Sequence, residues 1–238
     1  MTKKSLPIVS APTLTIELPV SKVKAKYRPF VIKEQKALLL AQESNDVETI
    51  TETIKSVVQS CSNNTVDPSK VPAADLAYFF IHLRIASVGP EVKFQMPCVS
   101  CNEMNVIGMS LNDVKLSNTT AETTIALTDT VGITFRVPTI EDVSVDATKV
   151  DRSIEMLYRL IVSVYDEDQV YSKSDYTEEE FRDWIETFTD DQLLKIKGFV
   201  DSLPDLKHDL DFECVHCNHK QRRTLEGLHS FFRADDGA

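Results

Sequence analysis

Two cysteine pairs with the same internal spacing constrain this chain more than any other feature. Cys98 and Cys101 sit in "MPCVSCNEMN", and Cys214 and Cys217 sit in "FECVHCNHK". A two-residue spacer lets both sulfurs of a tight turn reach one ion, and four thiolates suit tetrahedral Zn²⁺. The expectation is one structural Zn²⁺ held by Cys98, Cys101, Cys214 and Cys217. Four sulfurs leave no coordination position for water or substrate, so such a metal holds a fold and performs no chemistry. The pairs stand much further apart than those of a compact zinc ribbon. Any fold of this chain must therefore bring two distant turns together.

Other uses of the cysteines fit less well. The opening "MTKKSLPIVS" carries no apolar signal segment, which predicts an intracellular chain, where disulfides are rare. A redox C-x-x-C belongs beside a βαβ unit, and none is read here. His216 and His219 lie in the second turn and could replace a cysteine ligand. Cys61 closes an amphipathic run, "IKSVVQSC", and reads as a buried core thiol.

The 238 residues suffice for one large domain or two small ones. At 42% hydrophobic and 26% charged residues, the chain has the composition of a folded globular protein. No run is long enough to cross a membrane as a helix. A formal net charge of -11 argues against a nucleic-acid binder, which needs clustered Lys and Arg. The local exception is "HKQRR", His219 to Arg223.

The chain reads as an α+β protein, mainly a helical bundle with a small zinc-ribbon-like β part built from two C-x-x-C hairpins. Residues 1–30 are Pro-rich and form an extended N-terminal arm; "TLTIEL" alternates as a strand would. That arm either docks on a neighbour or lies along the edge of its own domain. Residues 31–90 form a helical region. "VIKEQKALLLAQES" is its first helix, and Asp46 caps a second whose face carries Val47, Ile50, Ile54, Val57, Val58 and Cys61. A third helix runs from Pro72 to Gly89, with Leu76, Phe79, Phe80 and Leu83 facing a core and Tyr78, His82 and Arg84 on other faces.

Residues 91–138 hold the first cysteine turn, a hairpin around it, and a further strand pair turning near Asp129–Gly132. Residues 139–205 read as a helical insertion. In "VDRSIEMLYRLIVSVY", Ile154, Leu157, Leu160, Ile161 and Val164 keep helical spacing. Capping boxes at Thr177/Glu180 and Thr189/Gln192 open two more helices. The acidic stretch "YDEDQVYSKSDYTEEE" reads as a solvated loop without the ligand spacing of an EF-hand. Residues 206–238 hold the second cysteine hairpin and a tail.

No P-loop, dinucleotide fingerprint, G-x-S-x-G elbow or H-E-x-x-H motif is present, and six glycines leave little for phosphate-cradling loops. The chain reads as a non-enzyme with no catalytic residues.

Two stretches carry a family resemblance. "YRPFVIKEQKALLLAQESND" matches a "RPF-x-x-KEEK-x-LL-x-A-x-ES" pattern at Arg28, Pro29, Phe30, Lys33, Glu34, Lys36, Leu38, Leu39, Glu43 and Ser44, with "KEQK" in place of "KEEK". "VPAADLAYFFIHLRIASVGPEV" matches "D-x-x-Y-x-F-x-x-LR-x-x-SVG" at Asp75, Tyr78, Phe80, Leu83, Arg84, Ser87, Val88 and Gly89. In these the chain resembles the base-plate proteins, called base-plate hub subunits, of T-even-type contractile-tailed bacteriophages. The resemblance implies a structural or assembly protein of the base-plate hub. It implies other phage base-plate or hub proteins as partners, and residence in the host cytoplasm during assembly or in the virion tail. The competing readings are a zinc-ribbon nucleic-acid-binding or regulatory module, with Lys220, Arg222 and Arg223 on phosphates, and a metal-dependent hydrolase with one open coordination position.

Overall fold

The computed structural model describes residues 11–44, 46–120, 122–143 and 157–232. Its described residues form helices and four small antiparallel sheets around two hydrophobic cores. The α+β class holds, but β-structure is too extensive for a helical bundle with a minor β part.

The larger core is built around three helices: α1 (Ile32–Ser44), α2 (Val47–Cys61) and α3 (Ala73–Val88). Asp46 caps α2 by accepting the Thr49 N–H at 2.8 Å, and Ile50, Ile54, Val57, Val58 and Cys61 are buried as their spacing predicts. Val47, on the same predicted face, remains 46% exposed at the first turn. The α3 helix is apolar on almost every side. Leu76, Phe79, Phe80 and Leu83 are buried, and so are Asp75 and Arg84. Gly89 ends it with φ 113°, a conformation side chains rarely adopt.

The N-terminal segment belongs to this core. Leu14–Glu17 (β1) and Lys24–Tyr27 (β2) form a hairpin, and Leu18, Ala25 and Tyr27 are buried in the main cluster. Asp75, fully buried on α3, accepts the N–H groups of Val20 and Ser21 at 2.8 and 2.7 Å and pins the turn of that hairpin. Of the two readings left open for "TLTIEL", its own domain is the one realised; residues 1–10 lie outside the described residues. Further along, Arg28 donates to Glu34 at 2.9 Å, and the Phe30 N–H donates to Ser87 Oγ at 2.9 Å. Arg28, Glu34, Asp75 and Ser87, all positions of the resemblance, thus fasten the N-terminal segment to the helices.

Next come two strands, β3 (Glu91–Pro97) and β4 (Met104–Ser110), paired in register from Glu91↔Ser110 to Pro97↔Met104. A short strand, β5 (Lys115–Ser117), joins the sheet of β10 (Asp205–Glu213) and β11 (Lys220–Glu226), giving the order β11-β10-β5. The final helix, α7 (Gly227–Phe232), packs Leu228 and Phe231 into the larger core.

The region between the cysteine turns builds the second core. Four strands, β6 (Thr124–Ala126), β7 (Gly132–Phe135), β8 (Ile161–Tyr165) and β9 (Val170–Ser172), form one sheet in sequence order. A short helix, α4 (Ile140–Val143), follows β7, and two longer ones, α5 (Glu178–Glu186) and α6 (Asp190–Ser202), follow β9. Both carry the expected capping boxes, and Phe181, Ile185, Ile196 and Phe199 pack with the sheet.

The helix expected over 150–165 is corrected here. Residues 157–160 are helical, but Ile161–Tyr165 is a strand paired with both β7 and β9. Ile161, Val162 and Val164 are β-branched and favour extended backbone, and a short apolar run fits either period. Ile154 lies outside the described residues. Part of the acidic stretch expected as loop likewise forms β9 and a 3₁₀ turn at Lys173–Asp175.

Candidate metal centre

Each cysteine pair caps a hairpin, and the two caps meet. Cys98 and Cys101 lie between β3 and β4, and Cys214 and Cys217 lie between β10 and β11. The four Sγ atoms all fall within 4.8 Å of one another. Cys98 Sγ stands 3.7 Å from Cys217 Sγ, and Cys101 Sγ stands 3.7 Å from Cys214 Sγ. A tetrahedron with Zn–S bonds of about 2.3 Å has edges of about 3.8 Å, so the donor set fits a metal of that kind. Among the described residues this is the one group of metal-ligating side chains found at such separations. His216 and His219 are outside it, as is Cys61, which is buried at the end of α2.

The two caps are built alike. Cys98–Asn102 reads CVSCN and Cys214–Asn218 reads CVHCN. In each, the first cysteine N–H reaches the carbonyl five residues on (Glu103, 2.9 Å; His219, 3.0 Å). In each, the asparagine N–H returns to the first cysteine carbonyl (3.0 and 2.9 Å). Asn102 and Asn218 both adopt left-handed backbone, φ 60° and 57°, which asparagine tolerates better than most residues. The first cysteine of each turn is buried. Cys101 is half-buried and Cys217 exposed, so the cluster opens to solvent on one side.

The likeness extends to how the hairpins grip each other. Asn105, four residues after Cys101, accepts the Val215 N–H on Oδ1 at 3.0 Å. Gln221, four residues after Cys217, accepts the Val99 N–H on Oε1 at 3.1 Å. Each side chain therefore reaches from its own strand to the tip of the opposite turn. The grip is uneven in one respect. Asn105 Nδ2 donates to the Glu103 carbonyl at 2.9 Å, whereas Gln221 Nε2 is buried without a hydrogen-bond partner. The sequence reading missed both amides, although the repeated CVxCN with an Asn or Gln four residues later would have signalled them.

Backbone dipoles prepare the sulfurs unequally. Burial opposes the Cys214 thiolate, but the N–H groups of His216 and Cys217, with the Asn105 side chain, outweigh it and bring the pKa down to about 6. The Cys101 N–H leads in lowering that of Cys98. At Cys101 the Glu103 N–H favours the thiolate, yet burial and the neighbouring sulfurs prevail and push it up to about 12. Four negative sulfurs this close repel one another, and a divalent cation is what allows them all to ionise.

The basic residues beside the second turn are partly committed. Arg222 forms a bidentate pair with Asp211 at 2.7 and 2.9 Å on the neighbouring strand. No helix among the described residues is long and apolar enough to cross a membrane.

No curated protein and no solved structure matches this chain. The family model described as T4 bacteriophage base plate protein matches residues 11–233, which takes in both cores and all four clustered cysteines. The chain belongs to the T4 bacteriophage base plate protein family.

Proposed function

We propose that this chain is a structural or assembly subunit of the base-plate hub, without catalytic activity, and that Cys98, Cys101, Cys214 and Cys217 bind one structural Zn²⁺. The family match over residues 11–233 carries the base-plate role. The 3.7 Å sulfur separations support the metal. In this reading the ion joins two hairpins into a zinc-ribbon-like unit, and its chemistry is confined to holding four thiolates. The chain's own residues do the rest: Asn105 and Gln221 fix the turns, and β3–β4 and β10–β11 carry them to the larger core. The partners are other phage proteins, met in the host cytoplasm during assembly and retained in the tail base-plate. Nucleic-acid binding is disfavoured by the net charge of -11 and by the Arg222–Asp211 pair.

Two measurements test this. Elemental analysis of protein purified without a metal-affinity tag should find about one zinc per chain. Mass spectrometry of purified virions should find the chain in the particle. Absence of zinc together with normal folding of a four-Cys→Ser variant removes the metal. Absence from virions, with presence in assembly intermediates, replaces hub component by assembly factor.

A further inference from the structure

A second site lies in the other core, far from the cysteines in sequence. Between the β8–β9 hairpin and α5 is a cavity of about 470 Å³. Tyr165, Tyr171, Tyr176 and Trp184 present rings to it, and Asp166 and Glu180 supply two carboxylates. Its apolar lining includes Val131, Val164 and Phe181. No basic side chain lines it among the described residues. The rings are held by one another: Tyr171 meets Tyr176 at 6.4 Å between centroids, and Tyr176 and Trp184 each meet Phe181 edge-on at 5.9 Å.

The backbone is adapted to keep the cavity open. Tyr165 on β8 pairs with Gly132 on β7, and its ring lies over the space a Cβ at residue 132 would occupy. Any side chain at Gly132 would displace the ring that forms one wall. The two carboxylates are also fixed. Asp166 accepts the Tyr171 hydroxyl at 2.6 Å and the N–H groups of Asp168 and Gln169 at 2.9 Å, and Glu180 accepts the Thr177 N–H at 2.8 Å in the capping box. These bonds hold both acids below the usual carboxylate range, led by the Tyr171 hydroxyl for Asp166 and the Thr177 N–H for Glu180.

The nearby cations are turned to another face. Lys173 lies over the Tyr158 ring, 3.6 Å from its centroid, and donates to the Tyr158 carbonyl. Arg182 bonds Glu178 at 2.7 Å. Residues 165–180, the segment that supplies Tyr165, Asp166, Tyr171, Tyr176 and Glu180 to the lining, carry seven acidic side chains and one basic one.

We propose that this cavity is a docking site for an arginine of a partner protein, carried on a segment with an apolar residue beside it. A guanidinium is flat, so it stacks on ring faces, and its donors match carboxylates; both partners are present here at fixed positions. The apolar lining takes the neighbouring side chain, and the acidic segment that supplies much of the wall favours approach of a basic segment. The site is independent of the cysteine cluster, and its test does not depend on the base-plate reading.

The sole tryptophan of the chain, Trp184, lines the cavity, so its fluorescence reports occupancy directly. The probe is the blocked tripeptide acetyl-Leu-Arg-Leu-amide, compared with the same peptide carrying citrulline, which keeps the shape and lacks the charge. The arginine peptide should give a saturable change in emission, and the citrulline peptide should bind at least about tenfold more weakly. The double variant Asp166→Asn, Glu180→Gln removes both charges. The amide oxygen at 180 can still close the capping box, and the one at 166 can still accept the Asp168 and Gln169 N–H groups, while its NH₂ takes the place of the oxygen that met the Tyr171 hydroxyl. It should remain folded, at a modestly lower thermal midpoint, and lose about tenfold in affinity for the arginine peptide. Tyr176→Ala, at an exposed ring, should weaken binding similarly. No saturable signal with the arginine peptide, or equal affinity for the two peptides, overturns the proposal. So does undiminished binding by the folded double variant.

Discussion

Asn105, on the strand that leaves the first cysteine turn, accepts the N–H of Val215 in the second turn at 3.0 Å. That single bond ties one half of the proposed metal site to the other, and Gln221 returns the favour to Val99 at 3.1 Å. Residues that orient ligands in this way ordinarily contribute 10- to 100-fold to metal affinity. Asn105→Ala should therefore lower zinc affinity by about that factor while leaving the helical core folded. Gln221→Ala should cost less, because it also removes the buried amide nitrogen that lacks a partner. Competition with a chelator of known affinity reads both; equal, unchanged affinities would mean the cross-bracing does not serve the metal.

Thiol labelling should separate the five cysteines into two groups. With metal bound, none of the four clustered sulfurs should react readily with iodoacetamide. After chelation they should all become reactive, beginning with the exposed Cys217. Cys61 should lag throughout, since its sulfur is sealed in the larger hydrophobic core and lies outside the metal cluster. Peptide mass spectrometry after timed quenching gives the order. Early labelling of Cys61 would show that α2 opens when the metal leaves.

Asp75→Ala should loosen the N-terminal hairpin. The carboxylate accepts two backbone N–H groups from the turn between β1 and β2, and nothing in the variant replaces them. The expected loss is roughly 1–3 kcal/mol, the range for losing hydrogen bonds to a buried acceptor. Hydrogen exchange should speed up over residues 14–27 more than in α3. A uniform change across the protein would mean that the hairpin is not a separate unit of stability.

The Arg136–Asp142 pair gives a pH-dependent prediction. Asp142 is 6% exposed; burial works against its charge, but Arg136 at 2.6 and 2.8 Å and the Thr139 N–H overcome it and hold it below the usual carboxylate range. A carboxyl lowered on folding contributes stability above its unfolded pKa and loses it as pH falls through the folded value. Asp142→Asn should cost about 1.5–3 kcal/mol near neutral pH. The gap between variant and wild type should shrink below about pH 4 and close further as acid protonates the wild-type group. Denaturant midpoints at several pH values measure the gap; a constant difference would assign the loss to packing.

What the sequence made legible was mostly local. The cysteine hairpins, the Asp46 cap, the two capping boxes and the buried stripe of α3 each depend on residues a few positions apart. The misreadings came where distance decides. Ile161–Tyr165 has apolar spacing that serves helix or strand, and its pairing with Gly132–Phe135 settles the matter. Asp75 gives no local sign that it will hold a turn 54 residues earlier. The amides of Asn105 and Gln221 are marked in the sequence only by their matched place after each CVxCN turn, and their partners lie 110 and 122 positions away.

The cysteine cluster joins positions 113 apart, and the entire second core lies between them. This has a consequence for the order of synthesis. The first turn leaves the ribosome with two sulfurs and nothing to complete them, and the intervening strands and helices follow before the second turn appears. The second core can therefore form while the cluster is still open, since its strands and helices contact one another at shorter range. Closure then turns that core into a ring fastened at both ends, and a chain truncated anywhere before Cys214 cannot make it. Completion of the site is thus a molecular signature that synthesis has passed Cys217 with everything between the two turns in place.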